Sequence, residues 1–247
     1  MNVPALKGII DRRILVNYRV DPRVLSQLLP APFRPQIVGG FGIAGICLIR
    51  LKALRPNWLP SVPGWSSENA AHRIAVEWTV DGKIRHGVYV PRRDTNSRMA
   101  VLVGGRLFPG VQHHARFRVD ERGDRFRIAM ESGDGQVNLA VDCHLAGELP
   151  PGSIFASIAQ ASEFFKAGSI GFSDTHQHGQ FDGLELHCRD WKVEPLQVES
   201  LRSNYFDDLT RFPAGSTRLD CALLMRGIHH EWHGEPRLCC TSAVCSK

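Results

Sequence analysis

Residues 68–90, ENAAHRIAVEWTVDGKIRHGVYV (Glu68–Val90), decide the fold. His72, Ile74, Val76 and Trp78 alternate with Arg73, Ala75, Glu77 and Thr79, the period of two that puts successive side chains on opposite faces of a strand. Asp81-Gly82 then predicts a hairpin turn, and His86–Val90 is the returning strand. The element is an antiparallel pair with its chemistry-bearing residues divided between two faces. Downstream, Pro91-Arg92-Arg93-Asp94-Thr95 leads to a short helix through Met99, Val101 and Leu102, capped by Asp94 or Thr95. A stretch broken by glycine and proline follows, GGRLFPGVQHHA (104–115), which ends in Gln112, His113 and His114.

The same alternation continues on both sides. Strands are expected at Val111–Val119, Phe126–Glu131 and Val137–Leu145, joined by turns at 121–124 and 133–135, which makes a meander. Ile14–Tyr18 reads as a short strand, and Asp21-Pro22 starts a helix with Val24, Leu25, Leu28 and Leu29 on one face. The glycine-rich apolar run Ile37–Leu51 predicts one bent, buried strand approached closely by another backbone or a ligand. Arg55–Ser67, with its prolines and Trp58 and Trp65, reads as a long loop. The clearest helix is expected over Ile154–Ala167, capped by Ser153. Strands follow around Leu184–Cys188 and Trp191–Val198, and Asp220–His230 is the last. The expected fold class is mainly β with a few helices (α+β), an antiparallel barrel closed enough to remove its edges, in a single domain over 1–247.

A chain of 247 residues with 43% hydrophobic content can bury a sizeable core. The formal charge of +5 comes from scattered arginines without a dense basic run, so no nucleic-acid partner is expected. No apolar run approaches a membrane span, no signal-peptide core opens the chain, and the seven cysteines form no C-x-x-C pair. These features predict reduced cysteines, a cytoplasmic location and no membrane partner. No nucleotide-binding or hydrolase motif is present, and no cofactor is expected.

Among the polar clusters, His113 and His114 are neighbours on a strand, so at most one of them faces inward. Arg92-Arg93 could clamp a carboxylate through a guanidinium fork, although a capped helix start accounts for the same residues. His176 and His178, with Asp174 or Asp182, have a spacing that some zinc sites use, but no third ligand stands at diagnostic spacing. His229, His230 and His233 read as a strand end.

The order of blocks resembles an uncharacterised bacterial conserved-protein family of the acetoacetate decarboxylase-like superfamily. The blocks are ILVNYRVDPRVLSQLLP, SENAAHRIAVEW, GVYVPRRDT, GGRLFPGVQHHA, FDGLELHCRDWKVEPL, SNYFDDLTRFPAGS and LDCALLMRGIHHEW. The resemblance implies a cone-shaped antiparallel β-barrel around a largely apolar cavity. In the decarboxylases that cavity holds a Schiff-base lysine, a second lysine that activates it and a glutamate. Gly105-Arg106 is similar to the start of their motif, but Leu107 stands where the glutamate would be. Residues within Gln112-His113-His114 replace the lysine pair, and none of the six lysines falls in the block. Imidazole forms no stable imine with a ketone, so Schiff-base decarboxylation is not expected.

The resemblance also marks Glu68 as similar to the cavity glutamate, with Arg73 or Arg106 as its partner. The expected site is thus Glu68, His113 and His114 as proton-transfer groups, with Arg73, Arg93, Arg106 and Gln112 as ligand contacts and no metal. Two functions remain: acid–base chemistry on an organic acid or carbonyl compound, or a non-catalytic protein that uses the cavity to bind a small molecule. Homo-oligomerisation is left open.

Overall fold

The computed structural model describes residues 5–59, 64–103 and 110–240. In chain order its elements are β1 (Leu6–Val20), α1 (Pro22–Leu28), β2 (Arg34–Pro35), β3 (Ile37–Val38), β4 (Phe41–Pro56), β5 (Trp65–Val80), β6 (Lys83–Thr95) and α2 (Arg98–Val103). Then come β7 (Gln112–Arg122), β8 (Arg125–Ser132), β9 (Asn138–Leu145), α3 (Ile158–Ala167), β10 (Ile170–Asp174), β11 (Gln180–Cys188), β12 (Glu194–Ser203) and β13 (Thr217–Cys239). All thirteen strands belong to one sheet. The expected hairpin is β5–β6, and Asp81 and Gly82 both take the positive φ that a two-residue turn of matching twist requires.

The pairings close on themselves. One ring runs β1–β4–β5–β6–β10–β11–β13 and back to β1. A second leaves β6 through β7, β8, β9 and β12 to reach β13. Two parallel contacts, β6 with β10 and β6 with β7, are the exceptions to the antiparallel plan. The strands β13, β1, β4, β5 and β6 are a wall common to both rings. Along β1, Ile14, Val16 and Tyr18 enter one core while Leu15 enters the other. On β4, Ala44, Ile46 and Leu48 likewise face the first core, and Ile43, Cys47 and Ile49 the second. The first core fills the larger ring; the second lies between the wall and α3, which contributes Ala161 and Phe165.

Several expectations are corrected. β1 begins at Leu6, well before Ile14, because Arg12 and Arg13 each find a place on one of the wall's two faces. Ile37–Leu51 is not one strand: Gly39 and Gly40 turn the chain between β3 and β4. The close backbone approach expected there is at Gly45, where a Cβ would stand 2.2 Å from the carbonyl oxygen of Val16. The Arg55–Ser67 loop is shorter than expected, since β4 runs to Pro56 and β5 starts at Trp65.

α3 starts at Ile158 rather than Ile154. Ser157 is its N-cap, accepting from the Gln160 N–H, while the Ser153 hydroxyl donates to Asp220. β13 extends to Cys239, beyond His230. Cys47, Cys143, Cys188, Cys221 and Cys240 are free, but Cys239 is disulfide-bonded, against the expectation of wholly reduced cysteines. No helix among the described residues is long and apolar enough to cross a membrane.

Candidate functional site

The smaller ring encloses a cavity of about 140 Å³. Every strand of the ring reaches it: Arg13 from β1, Cys47 from β4, Arg73 from β5, Arg93 from β6, Gly171 from β10, Leu184 from β11 and Trp232 from β13. Much of the remaining lining is apolar, including Ile49, Leu51, Leu54, Val88, Val90 and Leu186.

Bulges set which residues face inward. The β5–β6 register slips between His72 and Ile74, so β6 carries an extra residue around Val90-Pro91. Before the slip Val88 and Val90 face the cavity; after it the phase reverses and Arg93 joins them, while Arg92 turns the other way. On β1 a shift between Ile10 and Arg12 leaves Arg13 on the cavity side and Arg12 on the side of the larger ring.

Three guanidiniums therefore meet a mostly apolar space. Arg73 is 5% exposed, donates from Nη2 to Asn17 Oδ1, lies over the Phe165 ring at 4.9 Å, and leaves its Nε without an acceptor. Arg93 Nε donates to Ser173 Oγ at 2.8 Å. Arg13 lies over Trp191 and meets only sulfur, with Nε 3.3 Å from Cys47 Sγ and Nη1 3.9 Å from Met225 Sδ. All these partners are neutral. Desolvation lowers Arg73 and Arg93 to about 10, which still leaves both charged at neutral pH. Asp94, the one acid among the described residues of the lining, is held by Arg92 Nε and Nη2. No lysine is among the described residues that line the cavity.

Of the residues expected at the site, Arg73, Arg93 and Gln112 are brought together in this cavity. Arg106 lies outside the described residues. Glu68 is placed elsewhere, at an end of the larger ring, where it accepts from Arg12 Nη2 and from Arg50 Nε, each at 2.5 Å. The same two arginines hold Glu121 of β7, and Arg12 is 2% exposed. Glu68 pairs with neither Arg73 nor any histidine.

His113 Nδ1 lies 3.3 Å from Asp134 in the β8–β9 turn and is about one-third exposed. The His114 carbonyl accepts from the Gly133 N–H. Neither histidine lines the cavity. Sequence reading missed Arg13, Cys47, Asn17 and Ser173; strand alternation extended back through Arg12-Arg13 would have found the first.

An open groove adjoins the cavity, shares Ser169 and Leu186 with it, and carries His187, His229, His230 and His233. His187 and His233 are occupied by Glu185 and Glu231. Asp182 is held by Arg237, and Asp174 accepts from the Tyr89 hydroxyl. Among the described residues, no group of three or more such side chains is placed to hold a metal ion.

The fold is that of known proteins. Acetoacetate decarboxylase from Legionella pneumophila subsp. pneumophila str. Philadelphia 1 superposes with a TM-score of 0.61 at 11% identity, covering 95% of this chain and 89% of that one. An acetoacetate decarboxylase-like enzyme from Sphingomonas wittichii RW1 gives 0.55 at 11% identity, over 96% and 92%. The enduracididine biosynthesis enzyme MppR, solved in complex with pyruvate, gives 0.58 at 10%, over 95% and 90%. No curated protein matches in sequence. These structures share the cone-like β fold, and the model of the DUF2071 family, described as "Uncharacterized conserved protein", matches residues 10–223. With that match over most of its length, the chain belongs to the DUF2071 family, and its fold is that of the acetoacetate decarboxylase structures.

Proposed function

We propose that this protein binds a small organic acid in the cavity of the seven-strand ring, with Arg73 and Arg93 taking its anionic group and Gln112 beside them. The observation that carries the reading is the set of three guanidiniums, Arg13, Arg73 and Arg93, whose partners among the described residues are all neutral. A buried charge without a counter-charge is costly, so a cavity built this way is stabilised by an anion that enters it. The apolar remainder of the lining suits a short carbon skeleton. MppR, which shares the fold, was solved with an organic acid, pyruvate.

The reading places binding first. With no lysine among the described residues of the lining, a ketone held there meets no amine from them with which to form an imine. Acid–base chemistry on the bound acid would need groups other than Glu68, His113 and His114, which lie off the cavity. The test is thermal unfolding against a panel of short carboxylic acids and their uncharged amides. Acids raise Tm in the wild type, since a ligand at 100 times its Kd adds about 2.7 kcal/mol. The amides do not, and Arg93→Met diminishes the rise. Equal stabilisation by acids and amides would sink the proposal.

A further inference from the structure

The charge and volume of the cavity select among organic acids. Each guanidinium carries five N–H donors and stays protonated, so Arg13, Arg73 and Arg93 bring three positive charges to one space. Their acceptors are two sulfurs, one amide oxygen and one hydroxyl, none of them charged. A monocarboxylate would leave two charges uncompensated in a desolvated setting. A ligand with two carboxylates would leave one.

A cavity of about 140 Å³ has room for a short carbon chain. Leu51, Val90 and Leu184 give the methylene spine of a short dicarboxylate an apolar wall.

We propose that the ligand of this cavity is a dianion, a short dicarboxylate whose two ends engage different guanidiniums among Arg13, Arg73 and Arg93. The proposal rests on the organic-acid reading above and narrows it. It also makes Arg73 and Arg93 selectivity residues: removing either should cost a dicarboxylate more than a monocarboxylate of the same length.

The experiment is calorimetric titration of the full chain at pH 7.5 with malonate, succinate and glutarate against propionate, butyrate and valerate, the length-matched monocarboxylates. The best dicarboxylate is expected to bind at least about tenfold more tightly than its partner, one charged contact's worth of affinity. In Arg73→Met and Arg93→Met that ratio falls to about threefold or less, with Arg93→Lys as an intermediate that keeps the charge and loses the fork. Should the methionine variants fail to fold, the wild type alone decides: raising the salt concentration weakens the dicarboxylate more steeply than the monocarboxylate. A monocarboxylate that binds as tightly as its length-matched partner overturns the dianion and leaves the organic-acid reading standing. If no carboxylate of either kind binds, both readings fall.

Discussion

At the scale of single residues, the chain holds charge in two different ways. Glu68 and Glu121 share Arg12 and Arg50, and Arg50 also reaches Asp11, so each charge has a counter-charge within hydrogen-bond reach. Arg73 and Arg93 have none among the described residues. The first arrangement stabilises the fold and the second invites a ligand, and substitution separates them. Glu68→Gln leaves Arg12, almost fully buried, with one carboxylate instead of two; a loss of about 2 kcal/mol in urea unfolding is expected, below the 3–5 of a fully buried pair because Glu68 is partly wetted. Its affinity for a carboxylic acid should stay within about twofold of wild type, since losing 1.4 kcal/mol would mean tenfold. A stability near wild type together with lost binding would move Glu68 back to the ligand site.

His72 poses a different problem. It is fully buried against Tyr205, neither ring nitrogen has a partner, and desolvation depresses its pKa from 6.5 to about 3. The unfolded chain takes up this proton near pH 6.5 and the folded one does not. Stability is therefore full above pH 6.5 and falls as pH drops toward 3, by about 1.4 kcal/mol per unit. The carboxylates held low, Asp11, Asp134, Asp142 and Asp208, act only below their unfolded value of 3.8, and Asp94, Asp174 and Glu235, raised by burial, work in the opposite sense. Between pH 6 and 4.5, His72→Phe should thus flatten the decline in stability while keeping the ring contact with Tyr205. An unchanged slope would show that the proton uptake lies elsewhere, with His230 as the next group to examine.

At the scale of elements, what the sequence made legible was periodicity, and what it concealed was phase. The hairpin at Asp81-Gly82, the meander over β7–β9 and the Asp21-Pro22 helix start all follow from local chemistry, and each stands where that chemistry puts it. Strand alternation also separates His72 from Arg73. It could not show that a bulge near Val90-Pro91 reverses the phase of β6, so that Arg93 rather than Arg92 reaches the cavity. Nor could it show the shift between Ile10 and Arg12, which puts Ile10 on the same face as Arg13 and Leu15. A one-residue slip moves every later side chain to the other face, and nothing in the residue types of these segments announces it. The α3 boundary was missed for a related reason. Ser153 and Ser157 are both plausible caps, and only the pairing of Ser153 with Asp220 on β13, a contact far away in sequence, decides between them.

At the scale of the whole molecule, the two rings raise the question of whether they are two folding units or one. The wall answers in physical terms. Ile14 and Leu15, or Ile46 and Cys47, are neighbours in sequence buried on opposite faces, so opening either ring strips one face of strands that the other ring needs intact. β13 joins the rings again, pairing with β12 through Ala222–Leu224 and with β11 through His230–Cys239. Unfolding should then be a single cooperative transition. Tryptophan reports it by place: Trp78 is packed in the first core, and Trp232 lies against the second and lines the cavity. Two variants that keep only one of these residues, the remaining tryptophans replaced by Phe, should give superimposable denaturant curves that match the loss of far-ultraviolet circular dichroism. A carboxylate bound in the smaller ring should move both curves together, because stabilisation by a ligand is shared across a cooperative unit. If the ligand shifts the Trp232 curve and leaves that of Trp78 in place, the rings melt separately and the single-domain description fails.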